Sequence, residues 1–332
     1  MTAEMVRPVT LRWWLQWAII VGLAWSGGVL GAVNPRTVAA AHAPVITLHA
    51  FVAAKRHVRL PDGINLAYVQ MGKPDGMPVV LIHGYTDSAI DWVPMLPYLP
   101  RNWRLIIPDL RGFGGSSKPG CCYDLVDFAY DIKLLLDRLH VRRADVVGFS
   151  LGSMVAQRLA ETWPRSVRRV VLISSTGGTH KCRAPVEFHQ LDCGMPVIRA
   201  MKRTPAEDSP FMMEWFGAPP PGDRRLMRME RRDAAALPLS SWRTVLEQAL
   251  THPRLGVFLP RLKAPALLIW GSEDPIMSPQ DRASLETALP HAAVHVFAGL
   301  GHDVIWERPR RVAGVVSRFL DRRASARGPG LP

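Results

Sequence analysis

Asp145-Val146-Val147-Gly148-Phe149-Ser150-Leu151-Gly152-Ser153 is the stretch whose reading decides the fold. Asp145–Phe149 is a short apolar run of the kind that forms a buried strand and stops at Ser150. Leu151–Trp163 has amphipathic helical spacing and ends before Pro164. Between strand and helix the residues fit G-x-S-x-G. The requirement for glycine is steric. A serine held in a tight strand-to-helix turn needs small residues two positions before and two after it. Such a turn lifts the Ser150 hydroxyl clear of the sheet. It also sets the Leu151 N–H, at the helix N-terminus, where negative charge develops if that hydroxyl attacks a carbonyl.

Outward from the elbow, strands and helices alternate. Pro78–His83, Trp103–Pro108, Val167–Ser174, Ala266–Trp270 and Ala293–Phe297 read as strands. Val58–Leu60 and Ile64–Met71 bracket a Pro61-Asp62-Gly63 turn. Tyr123–Leu139, Pro279–Leu289 and Glu307–Asp321 read as helices. No internal repeat is visible. The pattern predicts an α/β fold: a mostly parallel twisted sheet with helices on both faces. Ligands of such sheets bind beyond the C-terminal strand ends.

A serine hydroxyl needs an adjacent base to become nucleophilic near neutral pH. Of the 11 histidines, His302 in Gly301-His302-Asp303 is favoured by its place, after the last strand and before the last helix. His291 and His295 sit at or inside a strand and read as structural. The base needs a carboxylate to hold its tautomer. Asp274, before Pro275 and after the strand Ala266–Trp270, is the candidate, with Glu273 as the alternative. The order Ser150, Asp274, His302 is the Ser…Asp…His order of G-x-S-x-G enzymes. An oxyanion needs two N–H donors. Leu151 supplies one and Tyr85, in His83-Gly84-Tyr85, is the candidate for the other. The Tyr85 side chain either packs in its loop or donates to substrate.

Residues 177–262 break the alternation and contain no strong strand, which predicts a helical cap inserted between core segments 44–176 and 263–323. Trp215, Phe211, Met212 and Trp242 are candidates to line an apolar pocket there, with packing inside the cap as the other reading.

Composition limits the function classes. The 332 residues are 48% hydrophobic and 21% charged, which is globular rather than disordered. Lys and Arg number 41 against 28 acids, a net +13, yet the basic residues are diffuse. The densest runs, Arg224–Arg232 and Arg322–Arg327, lack the interleaved aromatics of a nucleic-acid platform, so no nucleic-acid partner is expected. Trp13–Val33 is 21 residues without a charge, preceded by Arg7 and Arg12. As a helix it would reach ~30 Å, enough for a bilayer core. Small residues around Ala39-Ala40-Ala41 follow it. Residues 1–43 therefore read either as a cleaved signal peptide or as a retained membrane anchor. Both readings put the rest outside the cytoplasm and confine membrane contact to that segment. Residues 324–332 read as a disordered tail. The four cysteines, Cys121, Cys122, Cys182 and Cys193, follow the segment, and an oxidising compartment permits disulfides. Three readings are open: Cys182 pairs with Cys193, each pairs into Cys121-Cys122, or the thiols stay free and buried. Zinc-ligand spacing is absent, and no metal or organic cofactor is expected.

Together His83-Gly84-Tyr85, Asp109-Leu110-Arg111-Gly112-Phe113-Gly114-Gly115-Ser116, the elbow at Ser150, and Asp274 with Gly301-His302 resemble the α/β-hydrolase superfamily over roughly Arg56 to Arg323. The resemblance is to its capped group of esterases, perhydrolases, lactonases, epoxide hydrolases and haloalkane dehalogenases. The Asp109–Ser116 loop resembles a family element that shapes the sheet edge, which implies a structural role for Arg111. Dehalogenases and epoxide hydrolases of the group carry aspartate at the elbow, so Ser150 speaks against both. What the resemblance implies is a serine hydrolase acting on a small-molecule acyl substrate, most simply a carboxylic ester. Perhydrolase or haloperoxidase-like, lactonase and thioesterase chemistry use the same triad. A non-catalytic binding protein on the same fold is the alternative from another class.

Overall fold

The computed structural model describes residues 47–178, 191–216, 224–251, 255–256 and 258–321. The predicted signal or anchor segment, the tail, Cys182 and the Cys193 side chain lie outside the described residues. Among the described residues no helix is long and apolar enough to cross a membrane.

The chain enters through α1 (Leu48–Ala53), whose first turn is capped by the Thr47 hydroxyl, which accepts from Ala50 N–H. An antiparallel pair follows, β1 (Arg56–Arg59) and β2 (Asn65–Gly72), with Gly63 at φ +92° in the turn. Then come β3 (Met77–Ile82), β4 (Trp103–Pro108), α2 (Leu125–Arg138), β5 (Ala144–Phe149), α3 (Leu151–Thr162) and β6 (Val167–Ile173). Beyond the next stretch lie β7 (Ala266–Gly271) and β8 (Ala293–Phe297). The eight strands form one sheet in the order β1-β2-β4-β3-β5-β6-β7-β8. β2 pairs antiparallel with β1 and β4, and the remaining pairs are parallel.

Alternate residues of the central strands point into separate cores, which is why these strands are apolar throughout rather than alternating. Val80, Val146 and Leu172 join Leu135 of α2 and Leu159 of α3 on one face. Val79, Val147 and Val171 join the core of the opposite face.

Between β6 and β7 the described residues form helices and no strand: α4 (Leu191–Ala200), α5 (Pro210–Trp215), α6 (Arg224–Ala235) and α7 (Leu239–Val245), which continues as a π-helical turn over Leu246–Leu250. Three hydrogen bonds tie these helices to the loop after β3. The Tyr85 hydroxyl donates to Trp242 O (2.7 Å), Trp215 Nε1–H to Thr86 Oγ1 (3.0 Å) and the Ser88 hydroxyl to Asp233 (3.0 Å).

After α8 (Pro279–Ala288) and β8, the predicted helix Glu307–Asp321 is found as α10 (Pro309–Leu320), and a short α9 (Val304–Glu307) before it is separate from it. The cause is Pro309. Its ring disfavours helical geometry at the residue before it, and Arg308 sits at φ −142°, ψ 58°. On the packed side of α10, Val312 and Val316 join the core that holds Val147.

Arg111 donates twice to Asp131 (2.6 Å each), once to Asp62 (2.9 Å) and once to Cys122 O (3.0 Å). Asp109 accepts from Lys55 Nζ (2.6 Å) and from the N–H groups of Ala89 (2.8 Å) and Gly115 (2.7 Å). The Asp109–Ser116 loop is thus pinned at both ends to neighbouring segments. One cysteine reading is corrected: Cys121 and Cys122 are bonded to each other, so neither takes Cys182 or Cys193 as a partner.

Candidate active site

β5 passes into α3 through Ser150, which adopts φ 50°, ψ −118°. That is costly for a residue with a side chain and is tolerated where the surroundings enforce it. The surroundings here are tight. A Cβ on Gly148 would stand 2.1 Å from Gly152 O, and one on Gly152 would stand 2.1 Å from Ile82 O. Only glycine lets the strand and helix approach this closely.

The structure brings Ser150, His302 and Asp274 together from segments far apart in sequence. His302 Nε2 lies 3.0 Å from Ser150 Oγ. His302 Nδ1 lies 3.0 Å from both carboxylate oxygens of Asp274. Asp274 is acceptor-only when ionised, so Nδ1 carries the proton and Nε2 presents its lone pair to the serine hydroxyl. Asp274 also accepts from Ile276 N–H and Met277 N–H, both 2.9 Å, which fix its plane. Burial disfavours its charge, but His302 and these donors hold its carboxyl below the usual range. Burial likewise pulls His302 down, but Asp274, Asp303 and Asp91 outweigh it and its pKa is raised above 6.5. Glu273, the alternative acid, is exposed, and its backbone N–H is used by Leu300 O.

The loop after β3 runs beside Ser150. Among the described residues, no acceptor engages the N–H of Tyr85 or of Leu151. His83, beside Gly84 in the same loop, orients the first of these. Its Nδ1–H donates to Gly84 O (2.8 Å), while its Nε2 accepts from Leu110 N–H (2.9 Å). Gly84 O and Tyr85 N–H belong to one planar trans peptide, so holding the oxygen turns the N–H the opposite way. Both bonds require neutral imidazole, and burial lowers the His83 pKa to about 4.

Two more residues hold the histidine loop. The Ser174 hydroxyl donates to His302 O (2.7 Å), and Glu307 accepts from Gly301 N–H (2.9 Å). Ser174 ends a predicted strand, and its position at a C-terminal strand end was the one signal available in sequence.

The Tyr85 side chain is buried, and its hydroxyl is spent on Trp242 O rather than left for a ligand. Its ring meets Trp215 and Trp242 edge-on, both at 5.8 Å. Phe211 stacks on Trp215 at 5.6 Å. Met212 and Trp242 are fully buried, whereas Phe211 and Trp215 are half-buried. His295 meets Phe297 edge-on, ring centroids 4.4 Å apart, inside β8. Among the described residues no cluster of His, Cys, Asp or Glu has a metal-binding arrangement.

A serine raised on a strained turn at the C-terminal end of a central strand, backed by an imidazole and a carboxylate from later strand ends, defines the α/β-hydrolase class of fold and site. A family model for the alpha/beta hydrolase fold matches residues 77–309, and the chain belongs to that family. Its relatives differ in chemistry. A 2-hydroxy-6-oxononadienedioate/2-hydroxy-6-oxononatrienedioate hydrolase of Burkholderia vietnamiensis (strain G4) is 30% identical over 260 residues, 74% of this chain and 87% of that one. A non-heme chloroperoxidase of Streptomyces lividans is 38% identical over 163 residues, 46% of this chain and 59% of that one. The crystal structure of a membrane phospholipase A, described as a bacterial virulence factor, aligns with a TM-score of 0.68 at 26% identity, covering 80% of this chain and 85% of that one.

Proposed function

We propose that this chain is an exported serine hydrolase that cleaves a carboxylic ester through an acyl-enzyme intermediate. One observation carries the reading: the 3.0 Å contact of Ser150 Oγ with His302 Nε2, backed by Asp274 on Nδ1. Ser150 attacks the acyl carbonyl while His302 takes its proton. The N–H groups of Tyr85 and Leu151 hold the oxyanion. The tetrahedral intermediate collapses, the alcohol leaves with the proton from His302, and the acyl group stays on Ser150. Water then attacks that ester as His302 removes its proton, and the acid leaves. Asp274 stays ionised throughout and stabilises the imidazolium. No metal or organic cofactor takes part in these steps.

An ester suits the site because an alkoxide leaving group asks less of the acid than an amine does. The membrane phospholipase A among the structural neighbours supports ester chemistry on this framework. The half-buried Phe211 and Trp215, with Met212 and Trp242 packed near them, form an apolar wall for a short to medium acyl chain. Residues 1–43 direct the chain out of the cytoplasm, by cleavage or as an anchor.

The chloroperoxidase relative favours a second reading, in which hydrogen peroxide replaces water at the acyl-enzyme and a peracid leaves. A p-nitrophenyl ester series of increasing chain length, run with and without hydrogen peroxide, tests both. Ester turnover that peaks at short or medium chains supports the first reading. Peracid formed faster than carboxylic acid supports the second. No turnover of any ester overturns both.

A further inference from the structure

We propose that Asp91 is a positioning residue for this reaction: its carboxylate clamps the oxyanion loop to the segment that carries His302. The proposal rests on the hydrolase reading above. Asp91 lies in a short 3-10 turn (Ala89–Trp92) and is 2% exposed. Its Oδ2 accepts from Gly84 N–H at 3.2 Å. Its Oδ1 accepts from Trp306 Nε1–H at 2.6 Å. Gly84 directly precedes Tyr85, whose N–H is the candidate oxyanion donor. Trp306 lies in α9, directly after His302-Asp303. One side chain therefore links the peptide that would bind the oxyanion to the helix that follows the base.

The chemistry of the position argues for an acid. Two N–H donors converge on it from two chain segments. A carboxylate accepts both; a neutral amide accepts with one atom and turns its NH₂ against the other donor. Keeping a charge in this place is expensive, because burial opposes it. Three other acids face it: Asp87 from the same loop, Glu230 from α6 and Asp303 beside His302. Burial, with Asp91 and Asp303 adding to it, pushes Asp87 well above the carboxylate range. Burial, with Asp87, Asp91 and Asp233 adding to it, does the same to Glu230, and neither Glu230 oxygen has a hydrogen-bond partner among the described residues. At both positions the charged form is disfavoured. Burial also raises Asp91, but Trp306, Gly84 and His302 favour its charge and leave it at about 7. The N–H donors thus favour ionisation of Asp91 over that of Asp87 and Glu230. That carboxyl is the one between the oxyanion loop and the base, and its charge in turn raises His302.

The signs follow. Below about pH 7 Asp91 gains a proton and its grip on the two donors weakens, and His302, raised above 6.5, also gains a proton as pH falls. Activity is full only with both groups deprotonated, so the acid limb is steeper than one ionisation gives. The test uses the full chain, with kcat and KM for a p-nitrophenyl ester measured across pH for the natural protein, Asp91→Asn and Trp306→Phe. Asp91→Asn is expected to lower kcat on the order of tenfold, less than removing an oxyanion donor outright. KM should change little. Its acid limb should become a single ionisation and move to lower pH, since a negative charge near His302 is gone. Trp306→Phe keeps the carboxylate but removes a donor that lowers its pKa, so its limb should move to higher pH. Should Asp91→Asn not fold, the Trp306→Phe shift alone decides. Variants that lose thermal stability while keeping the natural kcat and pH profile would reduce Asp91 to a packing role and overturn the proposal. A natural protein that turns over no ester overturns the hydrolase reading and the proposal together, which distinguishes the two failures.

Discussion

At the residue scale, the serine–imidazole contact is productive only while His302 Nε2 is unprotonated. Asp274 makes that harder at low pH, because the same charge that holds the tautomer favours the imidazolium. The sign is definite: a raised His302 pKa means kcat/KM falls as pH drops through a value above 6.5, not below it. A pH–rate profile checks this, and a rate that stays flat down to acid pH contradicts the assignment of the base. Asp274, held below the usual carboxylate range, remains charged across that limb. Asp274→Asn reverses the hydrogen-bond polarity at Nδ1 and should cut turnover on the order of 10⁴-fold. Glu273→Gln, at an exposed side chain, should leave it unchanged. Ser174→Ala removes one donor to His302 O, a bond worth about 1 kcal/mol net, so turnover should fall by less than tenfold.

At the element scale, the elbow depends on two backbones touching. Gly152→Ala drives a Cβ into Ile82 O, and neither β3 nor α3 has room to retreat from the core. Thermal or denaturant unfolding should show a loss on the order of 3 kcal/mol or more, if the variant accumulates at all. Arg111 is the second element-level device. It sits between loop and helix with Asp131 fully buried against it. Removing the guanidinium strands that carboxyl, so Arg111→Ala should cost about 3–5 kcal/mol in urea unfolding. The elbow and the central strands were legible in the sequence because they are local, whereas the Arg111–Asp131 pair was not. G-x-S-x-G between a strand and a helix is read within a dozen residues, and each central strand is announced by its own apolar run. The boundary between α9 and α10 is equally local, at Pro309. What stayed hidden was side-chain traffic between distant segments. Asp91 meets Trp306, Ser174 meets His302, and Tyr85 meets Trp242 across long stretches of chain. No spacing rule encodes such contacts, since they exist only after the strand order is set. Cys121-Cys122 illustrates the reverse: adjacency was visible, and its consequence was passed over for longer loops.

At the scale of the whole molecule, the strand order sets the site. β5 lies centrally in the sheet, with β3 on one side and β6 on the other. The C-terminal ends of β3, β5, β7 and β8 therefore deliver Tyr85, Ser150, Asp274 and His302 to one edge. The helices between β6 and β7 attach to that same edge through Tyr85, Thr86 and Ser88. On the proposed reading the molecule works outside the cytoplasm. A reporter enzyme that is active only after export, fused behind Ala43, should be active in cells, and an inactive but expressed fusion contradicts the export reading. The central claim is the pairing of one hydroxyl with one imidazole. Its most direct test is a fluorophosphonate probe followed by peptide mass spectrometry. The account predicts a single adduct on Ser150, lost in Ser150→Ala and strongly slowed in His302→Ala. An adduct on another residue, or none on folded protein near neutral pH, contradicts it.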